Sequence, residues 1–94
     1  TDSYVKELGA TFVKPSDQLM QQLGINQGMQ IDALRSGTLN SKGIQKGFII
    51  LRINQMDVYS VKDIRKLIKS VRGGMLIEGV YPNGVRAYYG VGVR

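Results

Sequence analysis

Ninety-four residues, 43% of them hydrophobic and twelve of them glycine, fit one turn-rich globular domain rather than a disordered chain. With no cysteine and no histidine, the chain cannot form disulfides, thiolate or imidazole zinc sites, Cys–His pairs or a Ser–His–Asp triad. The net charge of +6 would suit an anionic partner, and no apolar run approaches the ~18 residues of a membrane span.

Taken in order, residues 1–6 are polar and read as a frayed linker, leaving residues 7–94 as the domain. No basic-then-apolar leader opens the chain, so a secretion signal is expected outside these residues. In residues 7–13, Leu8, Ala10 and Phe12 alternate with Gly9 and Thr11, the period of a short strand entered through a glycine turn. Pro15 closes that strand. Ser16 is placed to cap a short helix carrying Leu19, Met20 and Leu23, which Gly24 ends. This helix is expected only to lid the sheet. After Gly28 a second strand follows, in which Met29, Ile31 and Ala33 alternate with Gln30 and Asp32. Arg35-Ser36-Gly37 is a turn, and residues 38–42 have room for one helical turn with Leu39 inward.

Gly43 and Gly47 then bracket a tight turn anchored by Ile44. Residues 48–53 are apolar apart from Arg52 and rich in β-branched side chains, which reads as a strand buried on both faces. Asn54 to Asp57 turn the chain, and Val58 points inward from a short irregular strand. Ser60 begins the strongest helix, a near capping box with Asp63 where Glu or Gln is usual. Val61, Ile64, Leu67, Ile68 and Val71 recur at helical spacing, and Gly73-Gly74 is the expected stop. Met75 to Tyr81, the turn Pro82-Asn83-Gly84 and Val85 to Val93 form a hairpin. The expected class is α+β, mainly β: a small, partly open barrel or sandwich of five or six strands capped by two helices.

No constellation for catalysis stands out. Glu7 and Glu78 are far apart, the Gly43 turn lacks the Lys-Ser/Thr ending of a phosphate loop, and Gly90-Val91-Gly92 precedes no helix. Composition leaves a lysine–serine dyad open. Lys62, Arg65, Lys66, Lys69 and Arg72, offset by Asp63, concentrate +4 of the charge on one helix without interleaved aromatics. A solvated helix face accounts for that pattern better than a nucleic-acid site. No catalytic residue, metal ligand or cofactor is assigned.

The run Gly43-Ile44-x-x-Gly47-x-x-Ile50-x-x-Ile53-Asn54 resembles the core signature of PDZ domains. With Gly37 and the Ser60 helix, the likeness covers roughly residues 7–93. Because Leu8-Gly9-Ala10-Thr11-Phe12 comes first and the Pro82-Asn83-Gly84 hairpin last, the chain is most similar to the circularly permuted PDZ domains of bacterial HtrA/Deg serine proteases. Ala87-Tyr88-Tyr89-Gly90 is similar to their second PDZ domains. Three departures stand out. Phe48 replaces the usual aspartate, Gln55 the usual glycine, and residues 38–42 are one residue short of the usual turn and lack its alanine.

The resemblance implies a site. PDZ domains add an extended peptide at a sheet edge and hold its terminal carboxylate on backbone amides. Gly9 lets the N–H groups of Leu8, Gly9 and Ala10 converge on an anion, each bond contributing ~1.5–3 kcal/mol at best. Ala10, Thr11 and Phe12 would supply the edge strand. At ~100° per residue, Val61 and Ile68 lie about 20° apart and Arg65 about 40° beyond Val61. Val61, Arg65 and Ile68 are therefore assigned to the groove, and Ile64, Leu67 and Val71 to the core. Leu8, Phe12 and Ile68 would line a pocket for a medium or large apolar terminal residue, with Arg65 favouring an acidic or polar residue upstream.

The implied function is peptide binding for protein quality control, as a non-catalytic part of a periplasmic serine endopeptidase or chaperone. Its partners would be C-terminal or unfolded polypeptide, the upstream protease domain and neighbouring subunits, with no nucleic acid. Two other readings are an assembly role within the protease oligomer and a basic nucleic-acid or anionic-surface binder.

Overall fold

Ile49, Ile50, Leu51 and Ile53 are all buried, on the two sides of one strand, and the fold is layered over both. The structure, a computed structural model, describes residues 3–93. Of the expected linker, Thr1 and Asp2 lie outside the described residues, as does Arg94 of the expected domain. The elements are β1 (Tyr4–Val5), β2 (Ala10–Val13), α1 (Asp17–Leu23), β3 (Met29–Leu34), α2 (Thr38–Ser41), β4 (Ile49–Ile53), β5 (Met56–Asp57), α3 (Val61–Ser70), β6 (Gly73–Val80) and β7 (Arg86–Val93). Strands pair antiparallel in the order β1-β2-β3-β4-β6-β7, with β5 on β4. The sheet is not closed: β1 and β7 are its ends. The expected mainly β, α+β architecture forms, with seven strands and three helices rather than five or six and two.

Each face of β4 meets its own cluster. Ile50 and Ile53 join Phe12, Ile31, Phe48, Ile64, Ile68 and Ile77 in the main core. Ile49 and Leu51 join Val80 under Leu19, Leu23 and Ile25. Partial burial of Leu19, Leu23 and Ile25 on this second layer, each contributing less than the ~1.5–3 kcal/mol of a fully buried side chain, is what fixes α1. Its seven residues are too few for an isolated helix, and it has no fully buried residue of its own. Ser16 Oγ accepts the Leu19 N–H at 3.1 Å, and left-handed Gly24 ends the helix.

The α3 cap is a capping box displaced by one residue. Ser60 Oγ accepts the Asp63 N–H at 3.3 Å, and the shorter aspartate reaches back to the Tyr59 N–H at 2.9 Å. The helix stops earlier than its glycines predict. Val71 is already extended, its N–H closing on the Leu67 and Ile68 carbonyls, and Gly73-Gly74 open β6 opposite Gly92 and Val93. Ladder bonds to β7 outcompete another helical turn. At the other end of the chain, residues 4–5 are not a frayed lead-in but a strand, β1, paired with β2.

Of the departures from the PDZ pattern, Phe48 has a local physical account, whereas Gln55 sits in a strained conformation. Phe48 is fully buried, tilted on Tyr81 (centroids 4.7 Å) and edge-on to Tyr89 (5.4 Å). It packs where Gly79 has no side chain; a Cβ there would collide with the Phe48 ring and the Ile49 carbonyl. Asn54 and Gln55 form the two-residue turn into β5, both at positive φ (52° and 70°), as a type I′ turn requires. Asn54 suits this conformation, and it clips β6 through Leu76 N–H to Asn54 Oδ1 at 2.8 Å and Asn54 N–H to Leu76 O at 2.9 Å. Gln55 does not.

Gly79→Ala is therefore expected to destabilise the domain by about 2–3 kcal/mol. Gln55→Gly should stabilise it by about 0.5–1 kcal/mol, because relief of the left-handed strain exceeds the added chain entropy. Urea unfolding midpoints of the two variants check both.

Candidate functional site

The amide pair at Leu8 and Gly9 is the most concentrated set of donors in the site. Leu8 N–H and Gly9 N–H both donate to one acceptor, the Val5 carbonyl oxygen, at 3.1 and 2.9 Å; Gly9 N–H also reaches Lys6 O at 3.2 Å. Gly9 sits at φ +69°, the left-handed position that ends a short hairpin loop. The loop is gripped from behind: Arg35 N–H donates to Gly9 O (2.8 Å), Thr38 Oγ1 to Glu7 O (3.2 Å) and Leu39 N–H to Leu8 O (3.4 Å). Alanine at position 9 would add a Cβ about 3.3 Å from Ser36 O on an unfavourable backbone.

From this loop runs β2, with the chain's own first strand along its outer side. Tyr4 pairs with Thr11 and Val5 with Ala10, and Phe12 N–H donates to Ser3 O at 2.9 Å. On the far side of β1 stands α3, and Arg65 Nη2 donates to Tyr4 O at 2.6 Å. Residues 3–5 are therefore an extended antiparallel segment lying along β2 and fastened to α3. The Val5 side chain is fully buried in the cluster that contains Leu8, Ala10, Phe12 and Ile68.

Of the eight residues singled out in the sequence, Leu8 to Phe12 lie on the loop and β2, and Val61, Arg65 and Ile68 lie on α3, which Arg65 ties to β1. Leu8, Ala10 and Phe12 have no exposed area, Gly9 is buried and Thr11 half-buried. On α3, Val61 and Arg65 are half-buried, whereas Ile68 is buried almost as fully as Ile64. Leu67 and Val71, expected in the core, are only partly buried against it. Arg65 spends its hydrogen bond on a backbone carbonyl rather than on an acidic side chain. Three participants escaped the sequence reading: Tyr4, Val5 and Arg35, whose guanidinium lies 5.3 Å from the Tyr4 ring centroid. The available signal was an aromatic and a β-branched residue side by side, one short loop before Ala10.

Magnitudes suggest how firmly this segment is held. Fixing residues 3–5 costs about 1–2 kcal/mol each in backbone entropy. Burying Val5 contributes about 1.5–3 kcal/mol. The bonds from Leu8, Gly9, Phe12 and Arg65 contribute about 0.5–1.5 kcal/mol each, with the charged one at the upper end. The sum is within a few kcal/mol of balance, so the segment is held only modestly.

Elsewhere the chemistry is sparse. Among the described residues there is no cluster of three His, Cys, Asp or Glu, and no buried polar side chain. No helix among them is long and apolar enough to cross a membrane. An open cleft of about 430 Å³ lies beside Gln45, Tyr81, Pro82 and Tyr89. There Tyr81 and Tyr89 share a 2.7 Å hydroxyl hydrogen bond, and Tyr81 also accepts the Gln45 N–H. The bond to Tyr81, and secondarily burial, push the Tyr89 hydroxyl up to about 12.

No protein-family model matches the chain, and no curated protein matches it. Among solved structures, the HtrA-type protease AlgW with decapeptide matches at a TM-score of 0.70 and 20% identity, over 92% of this chain and 28% of that one. A substituted form of AlgW, also with decapeptide, matches at a TM-score of 0.71 and 24% identity, over 93% and 28%. This chain spans 28% of the length of each, and the likeness establishes its fold.

Tyr89 binds its proton more tightly in the folded chain than in the unfolded one, where tyrosine titrates near ~10. Its contribution to stability is whole below pH ~10 and is lost as pH rises through about 12. Ultraviolet titration should find one hydroxyl ionising near that upper value, and Tyr81→Phe should lower it.

Proposed function

We propose that this PDZ-like domain is the peptide-binding module of an HtrA/Deg-type serine protease, taking C-terminal or unfolded polypeptide into the groove between β2 and α3 by strand addition. The observation that carries the reading is the groove's present content. An extended antiparallel segment already lies there, with a carbonyl oxygen on the Leu8 and Gly9 amides and an apolar side chain fully buried. That oxygen stands where one oxygen of a peptide carboxylate would sit. Both similar structures are of proteases with decapeptide, which supports the assignment.

In this reading each site residue has a task. Leu8, Gly9 and Ala10 present amides to the carboxylate, Ala10, Thr11 and Phe12 offer the pairing edge, and Val61 and Ile68 form the apolar wall. Arg65 holds the peptide by its backbone. The binding domain takes in β1 together with residues 7–94, catalysis resides elsewhere in a periplasmic parent enzyme, and the biological role is protein quality control. The other reading, assembly with a neighbouring subunit, is favoured by the opposite sheet end. There, among the described residues, β7 pairs only with β6, and Leu76, Val85 and Tyr88 are exposed.

Carboxylate capture has a direct test. A labelled hexapeptide ending in valine should bind at least about tenfold more tightly as the free acid than as the amide, the worth of one lost charge-assisted bond. Equal fluorescence anisotropy curves for the two would contradict it.

A further inference from the structure

We infer that Ser3, Tyr4 and Val5 act as a built-in competing ligand: they close the groove in the resting domain, and a chain end carrying a valine-sized apolar residue and a free carboxylate opens it by replacing them. This rests on the peptide-binding reading and adds the regulation and terminal-residue class of that site. Strand addition needs an unpaired edge, and that of β2 is taken by Tyr4 and Val5 in register with Thr11 and Ala10, with Ser3 O on the Phe12 amide. A peptide cannot pair with β2 while β1 does.

Next comes the pocket. Val5 has no exposed area and shares its cluster with Leu8, Ala10, Phe12 and Ile68. The space is thus already fitted to a β-branched side chain of valine's size, which narrows the medium-to-large preference expected from Leu8, Phe12 and Ile68 alone.

Tethering gives the strap its advantage. Lys6 to Gly9 is a four-residue link, so the strap competes at an effective concentration on the order of millimolar. A chain end has a different advantage. Val5 brings a neutral carbonyl to the Leu8 and Gly9 amides, whereas a terminal carboxylate brings a charge, and bonds to an ionised acceptor are about twice as strong. The charged groups around the strap are Arg35 over Tyr4, Arg65 on Tyr4 O, exposed Lys6 and exposed Glu7. Three of these four favour the incoming carboxylate. An internal segment of unfolded protein lacks that charge and competes less well than a chain end.

If the open form is populated at about 0.1–10%, the apparent dissociation constant is raised by the inverse of that fraction. Releasing the strap should therefore tighten binding by at least about tenfold. The chain has no cysteine, so a reversible lock is clean. Tyr4 and Thr11 are cross-strand partners, with a Cα separation of about 4.5–5.5 Å expected for such a pair, inside the disulfide range.

The experiment measures anisotropy of a labelled hexapeptide ending in Tyr-Val, with a free carboxylate, on the full chain and on three variants. Val5→Asp should bind at least about tenfold more tightly than the native chain. Tyr4→Gly, which leaves the core untouched, should bind about threefold more tightly and carries the test if Val5→Asp fails to fold. Tyr4→Cys/Thr11→Cys should lose at least about tenfold in affinity on oxidation and recover it on reduction. Hydrogen exchange at the Phe12 amide reports strap release independently of any peptide. Equal binding by oxidised and reduced forms would overturn the strap while leaving peptide binding intact. Absence of binding in every form, with Phe12 exchange showing the strap released, would overturn the peptide-binding reading and this inference with it.

Discussion

Two amides, those of Leu8 and Gly9, point at a single oxygen, and the arrangement of the site follows from that convergence. It requires Gly9 in the left-handed region, and it requires the loop to be braced by Arg35, Thr38 and Leu39 rather than left to flex. It sets where β2 begins, and therefore where any paired segment must end. The acceptor now in place is an uncharged carbonyl from the chain itself. An ionised acceptor in its place would make stronger bonds to the same two amides.

The groove is defined by separate elements, β2 and α3, so something must hold them at a fixed spacing. That is the role of β4 and the aromatic group beside it. Ile50 and Ile53 pack under α3 through the main core, while Phe48 fills the space that Gly79 leaves and wedges Tyr81 against Tyr89. Phe48 stands where the PDZ pattern has aspartate, and the compensating changes lie on a different strand. A polar turn residue of that pattern is replaced here by a hydrophobic wedge.

Much of this was legible in the residues. Ser16 and Ser60 marked helix starts, Asn83-Gly84 marked the hairpin, and the Gly43 to Asn54 run marked the central strand with both faces buried. These signals are local, and local propensity decides them. What escaped was decided by tertiary contacts. Tyr4 and Val5 are two residues in a polar stretch, and only the burial of Val5 in the core and pairing with Ala10 and Thr11 make them a strand. Gly73 and Gly74 stop helices, yet here the β7 ladder claims them and α3 ends at Ser70. The groove residues of α3 could be ranked by angle, but the depth of Ile68 depends on the core it joins, and Val5 is part of that core.

The central claim is that the space between β2 and α3 is a strand-binding site now filled from within. A crystal structure of the domain grown with a saturating peptide ending in Tyr-Val would test it most directly. The account predicts peptide density paired with Ala10, Thr11 and Phe12, its carboxylate on the Leu8 and Gly9 amides, and residues 3–5 displaced. Peptide bound on any other surface, with Val5 still buried and paired with Ala10, would contradict it.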